Sequence, residues 1–91
     1  MLHNKGNRMI WYSDPGHAWL RVKQSELETL GLTDRISKYS YRNGSWAYLE
    51  EDSDALLYLS FKEVSYEDMK AIPFKNCNGQ SKIRLYPKYW V

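Results

Sequence analysis

Alternation of apolar and polar positions is the strongest signal in this chain, and it is clearest on either side of Asn43-Gly44. Tyr39-Ser40-Tyr41-Arg42 precedes that pair and Ser45-Trp46-Ala47-Tyr48 follows it. Successive side chains of a strand point to opposite faces. Tyr39, Tyr41, Trp46 and Tyr48 therefore share one face, and Ser40, Arg42, Ser45 and Ala47 share the other. Asn-Gly is favoured in type I′ turns, where both central residues need positive φ. A hairpin turning on Asn43-Gly44 pairs Arg42 with Ser45, Tyr41 with Trp46 and Tyr39 with Tyr48. The aromatic face has two readings. It is core covered by helices, because a small domain must bury its large side chains, or it is an exposed stacking or partner surface.

The same patterning places the other elements. Arg8 to Tyr12 reads as a strand, Ser13-Asp14-Pro15-Gly16-His17 as a type II turn, and Ala18 to Lys23 as the returning strand. Ser25-Glu26-Leu27-Glu28 has the form of a capping box, opening a helix that stops at Gly31. Leu27, Leu30, Leu32 and Ile36 are the apolar positions of that region. Ala55 to about Val64 reads as a second helix, with Leu56, Leu57, Phe61 and Val64 on one face. Met69 to Lys75 suggests a strand with Pro73 at an edge or bulge. Asn76 to Gln80 is a loop, and Lys82-Ile83-Arg84-Leu85-Tyr86 alternates as a last strand. The expectation is a single α+β domain over 1–91, with residues 1–6 a frayed tail. Its core is an antiparallel sheet of five or six strands built from hairpins, with two helices on one face, in the order β-β-α-β-β-α-β-β.

Composition narrows the class. Ninety-one residues suit one domain with a modest core. The single cysteine, Cys77, excludes an internal disulfide framework. No N-terminal stretch reads as a signal peptide and none as a membrane span, so a reducing cytoplasm is expected. The formal charge of +2 is unevenly placed. Residues 1–49 carry +3, residues 50–68 carry −6 and residues 69–91 carry +5. Separated charge can pair internally or be offered to a partner.

Candidate chemistry is sparse. Glu50, Glu51, Asp52 and Asp54 lack the spacing of a calcium-binding loop, and negative charge ahead of an apolar run is also what a helix N-terminus favours. Cys77, His3 and His17 are too few and too scattered for a four-ligand zinc site. No Ser, Cys or carboxylate stands at a motif spacing to partner His17, and no glycine-rich phosphate loop occurs. The chain reads as carrying no metal, no cofactor and no catalytic set.

Four words of sequence, Asp14-Pro15-Gly16-His17-Ala18-Trp19-Leu20, Leu30 to Ser37, Tyr39-Ser40-Tyr41 and Tyr48 to Asp54, resemble a family of small uncharacterised proteins of bacteriophages and mobile elements. The resemblance covers most of residues 12–56 and implies a small accessory protein made inside a bacterial cell. It assigns no activity to any residue. The expected function is contact with a host protein or defence complex, inhibiting it. Trp11, Tyr12, His17 and Trp19, with Glu50, Glu51, Asp52 and Asp54, are the expected contact residues, since Trp, Tyr and charge dominate interfaces. The second reading is nucleic-acid binding through Lys82, Arg84, Tyr86, Lys88, Tyr89 and Trp90, where basic and aromatic residues interleave. A third is a nucleotide signal held between two copies of the chain by stacking and by Arg or Lys on its phosphates.

Overall fold

A computed structural model describes residues 9–90. The expected tail at 1–6 lies outside them. The chain folds as α+β around a mixed five-stranded sheet of order β3-β4-β2-β1-β5. Its strands are β1 (Ile10–Ser13), β2 (Ala18–Lys23), β3 (Tyr41–Asn43), β4 (Trp46–Glu50) and β5 (Phe74–Asn76). Its α-helices are α1 (Gln24–Thr29), α2 (Asp54–Lys62) and α3 (Tyr66–Lys70), joined by 3-10 turns at Thr33–Arg35 and Lys82–Leu85. Four strands are antiparallel as expected, but β5 runs parallel to β1. Of the expected strand over Met69–Lys75, Met69 and Lys70 end a helix instead. Ser65 accepts the Asp68 N–H and starts α3, and only Phe74–Asn76 reaches the sheet. No helix among the described residues is long and apolar enough to cross a membrane.

Strand register divides the sheet into two faces. Trp11, Leu20, Val22, Ala47 and Leu49 lie on one face and join Leu27, Leu32, Ile36, Ala55, Tyr58 and Leu59 in the main core. Tyr12, Trp19, Tyr41, Trp46 and Tyr48 lie on the other and form a second, aromatic core around Ile83 and Tyr86. The expected aromatic face is real, but helices do not cover it. The segment from Ser81 onward does, and Lys82–Leu85 is a 3-10 turn where a strand was expected. Ser81 caps that turn by accepting the Ile83 N–H, and Pro87 follows it. Beyond it the chain runs along the outer edge of β3, where Tyr41 bridges Lys88 and Arg42 N–H donates to the Pro87 carbonyl.

The central hairpin is displaced by one position from expectation. Tyr41 pairs with Tyr48, Arg42 with Ala47 and Asn43 with Trp46, so the loop is Gly44-Ser45. Gly44 has φ of 60° while Ser45 has none in the positive range, the requirement of a type II′ turn with Gly first. Sliding the loop by one residue leaves each side chain on its expected face. The expected type II turn before β2 is not formed either, because Gly16 lacks positive φ. Instead the Asp14 carboxylate accepts the N–H groups of Gly16 and His17, an Asx-type turn.

Helix α1 begins at Gln24 directly after β2, so Ser25 lies inside it and caps nothing. The Gln24 side chain donates to the carbonyls of Gly44 and Trp46, pinning the helix start to the β3–β4 turn. The helix ends as expected at Gly31, whose φ is 70°. Leu32 N–H bonds Leu27 O and Gly31 N–H bonds Glu28 O, a Schellman ending that brings Leu27 and Leu32 together.

Helix α2 is rotated from the face its leucines suggest. Asp54, Ala55, Tyr58 and Leu59 are buried, while Leu56 and Phe61 are 58% and 45% exposed. Asp54 sets this rotation. Its carboxylate accepts the N–H and hydroxyl of Ser37 and the hydroxyl of Ser40, which requires the first turn to face inward. Positions one, four and five residues on then face the core with it. Tyr58 reaches Glu26 through its hydroxyl, and Lys62 also pairs with Glu26, so α2 is tied to α1.

The end of α2 repeats the Schellman pattern, with Val64 N–H on Leu59 O and Glu63 N–H on Ser60 O. Here Glu63 adopts φ of 56°, the one positive value on a non-glycine among the described residues. A side chain in that region costs roughly 1 kcal/mol. Glu63→Gly is therefore expected to raise unfolding free energy by about 0.5–1 kcal/mol, measured by urea denaturation. A decrease would show that the Glu63 side chain contributes more than its backbone strain costs.

Candidate functional site

The register of β2 against β4 assembles the site. Trp19 lies opposite Glu50, and the ladder continues one step as Glu51 N–H bonds Ala18 O while Ala18 N–H donates to the Glu51 carboxylate. His17, two residues before Trp19, therefore lies on the aromatic side of the sheet beside Glu50. The result is a cleft of about 550 Å³ lined by His17, Trp19, Tyr39, Tyr41, Glu50, Asp52, Ser53, Arg84 and Lys88. That volume is within the range of ordinary ligand sites, about 300–1,000 Å³.

Trp19 forms the floor. It is buried and edge-on to Tyr41 at 6.1 Å, with the His17 ring 6.1 Å away. Arg84 covers it, the guanidinium carbon 5.2 Å from the indole centroid. Arg84 is held there by Asp14. Its Nε and terminal nitrogen donate to the two carboxylate oxygens at 2.7 and 2.8 Å. Ser81 N–H donates to the same carboxylate. Gly16 makes this approach possible, since a Cβ there would meet the Arg84 guanidinium at 2.8 Å.

The Arg84 guanidinium, followed by the N–H donors of Ser81, Gly16 and His17, holds the Asp14 carboxyl far below the usual carboxylate range, against the opposing effect of burial. Arg84 is raised in return by the same bonds. The Asp14 side chain has 1% of its surface exposed and Arg84 27%. The carboxylate is covered by its own loop, Ser81 and Arg84, and water reaches the pair from the Arg84 side. Beneath, burial pushes the Tyr48 hydroxyl up to about 12, with Tyr86 and Tyr12 adding to it.

Opposite Arg84, the carboxylates are free of cations. Glu50 and Asp52 receive no ion pair or side-chain hydrogen bond among the described residues. Lys88, the other cation of the cleft, lies over the Tyr41 ring at 4.7 Å and donates to its hydroxyl. His17, Glu50 and Glu51 come together, one ligand-type atom from each lying within 4.8 Å of the others. No motif spacing joins His17 to a carboxylate. These neighbours come from the end of β4 and the residue after it, which meet β2 across the intervening helix and hairpin.

The expected contact residues are thus divided. His17, Trp19, Glu50 and Asp52 line the cleft and Glu51 adjoins it. Tyr12 lies on the same face, half-buried and edge-on to Tyr48. Trp11 is on the opposite face, packed against the main core, and Asp54 is buried beneath Ser37 and Ser40. Neither lines the cleft.

The expected nucleic-acid strip is also divided. Lys82 and Lys88 are exposed, while Arg84 is engaged by Asp14. Tyr86 packs on Tyr48, Tyr89 donates to Thr33 O and Trp90 donates to Ile36 O. Trp90 nonetheless keeps 46% of its surface exposed. Asp14, Tyr39, Tyr41 and Ser53 were absent from the expected site. The Asp-Pro-Gly turn was the one sequence signal for Asp14, since Asp there bonds its own loop.

A scan against protein-family models gives no match, and neither the curated proteins nor the solved structures contain one.

Asp14→Asn keeps the loop's oxygen acceptor but removes the charge. The pair is intermediate between exposed and fully buried, so a loss of roughly 2 kcal/mol is expected at pH 7. The folded-state value of Asp14 lies below its ordinary 3.8. The stabilisation is therefore complete above that pH and is lost progressively as pH falls below it. Denaturant curves should show the gap between wild type and variant narrowing below pH 3.8. A gap constant with pH would show that charge is not what Asp14 contributes.

Proposed function

We propose that this protein acts by contact and not by turnover, offering the cleft to a basic segment of another protein. The observation that carries this reading is the charge state of the cleft. Its arginine is already neutralised by Asp14, whereas Glu50 and Asp52 face the opening without a cation. An aromatic floor of Trp19 with Tyr41 and Tyr39 at the side is the surface on which a Lys or Arg side chain gains cation–π as well as ionic attraction. The volume of about 550 Å³ suits one or two such side chains. Three of the four sequence words that resemble phage and mobile-element proteins supply most of this cleft. They support a bacterial host protein, such as a defence complex, as the partner, with inhibition as the outcome.

Tyr39 and Asp52 are exposed, so changing them leaves the core intact. Affinity purification from bacterial lysate with wild type and with Tyr39→Ala/Asp52→Lys is the test. Wild type is expected to retain a basic partner that the variant recovers at least tenfold less, at unchanged melting temperature. Attraction of this kind weakens with salt, so recovery should also fall between low and high ionic strength. Equal recovery by both proteins would remove the cleft from the interface.

A further inference from the structure

We infer that His17, Glu50 and Glu51 form a site for a divalent transition-metal ion at the rim of the cleft. Ligand atoms that share one ion lie roughly 3–4 Å apart, given metal–ligand distances near 2.1 Å. The three donor atoms here lie within 4.8 Å of one another, so small side-chain rotations bring them to a common centre. One imidazole nitrogen with two carboxylate oxygens suits zinc or manganese better than calcium or magnesium, which take oxygen alone.

Two features separate this group from an ordinary acidic patch. The first is fixed geometry. The Glu51 carboxylate is held by Ala18 N–H, Glu50 ends strand β4, and the His17 backbone is held by Asp14. The second is Glu50 itself. It is the most covered of the three groups, yet its carboxylate has no hydrogen bond or ion pair among the described residues. Its carboxylate lines the cleft without a compensating charge, and a cation placed between it and the His17 ring nitrogen would supply one. The cations of the cleft do not serve, since Arg84 is bound to Asp14 and Lys88 lies on Tyr41. A three-ligand site of this kind leaves coordination positions open toward the cleft.

The test is isothermal titration of the full 91-residue chain with zinc, manganese, calcium and magnesium chlorides. Zinc is expected to bind one per chain and at least tenfold more tightly than calcium or magnesium. His17→Ala and Glu50→Gln should each weaken zinc at least tenfold with unchanged melting temperature. Manganese should broaden the amide resonances of His17, Glu50 and Glu51 ahead of all others. Absence of zinc binding at millimolar concentration overturns the site. So does zinc binding that survives both substitutions, which would place it at His3 or Cys77. Tyr39→Ala leaves every ligand in place and should not change zinc affinity, so this inference and the partner reading fail independently.

Discussion

The Asp14 carboxylate is the constraint on which the aromatic half of this protein depends. Five N–H donors from two separate stretches of chain converge on its two oxygens. Two come from its own loop, one from Ser81 and two from Arg84. The stretch from Ser81 to Trp90 contributes no strand to the sheet beyond one bridge. Without the ionic anchor it would be held over the aromatic face mainly by Ile83, Tyr86 and a few backbone bonds. Anchored, it places Ile83 between Trp19 and Tyr48 and sets Arg84 across the indole. A charge pair near the surface is worth little alone. This one gains because the same carboxylate fixes the loop that carries His17.

A second buried carboxylate does for the helical half what Asp14 does for the aromatic half. Asp54 gathers Ser37 and Ser40, residues that lead into β3, onto the first turn of α2. Ser40 passes the connection on, its hydroxyl accepting the Glu50 N–H. Three elements are thereby fixed relative to one another at the point where β4 gives way to α2. The two hubs flank the cleft, and Glu50 lies between them. The cleft is an outcome of satisfying two buried charges with backbone and hydroxyl donors.

This explains which parts of the fold were legible in the sequence. Local signals were reliable where the physics is local. Gly31 ends α1, the aromatic residues of the central hairpin share a face, and Leu27, Leu32 and Ile36 are buried. Signals failed where a distant polar group decides. Of the face expected for α2, Leu57 and Val64 pack against the core while Leu56 and Phe61 are exposed, because Asp54 answers to Ser37 and Ser40 and turns Tyr58 and Leu59 inward. Lys82–Tyr86 alternates like a strand, but Ser81 is bound to Asp14 across most of the chain, and the backbone turns there instead. His17 looked isolated because the β2–β4 register spans a helix and a hairpin, and no spacing rule encodes it. The four sequence words singled out early come together around one end of the sheet, although nothing in their order along the chain implies it.

The same hubs determine what the cleft can attract. Segment charges of −6 and +5 left open whether the acidic and basic stretches pair with each other or face partners. The pairing formed is selective. Arg84 crosses to Asp14, an acid of the N-terminal half, and leaves Glu50 at the end of β4 without it. With Arg84 held by Asp14 and Lys88 over the Tyr41 ring, the Glu50 and Asp52 carboxylates line an opening floored by aromatic rings. The proposed positively charged occupant, a side chain or an ion, rests on that arrangement and not on the number of acids nearby.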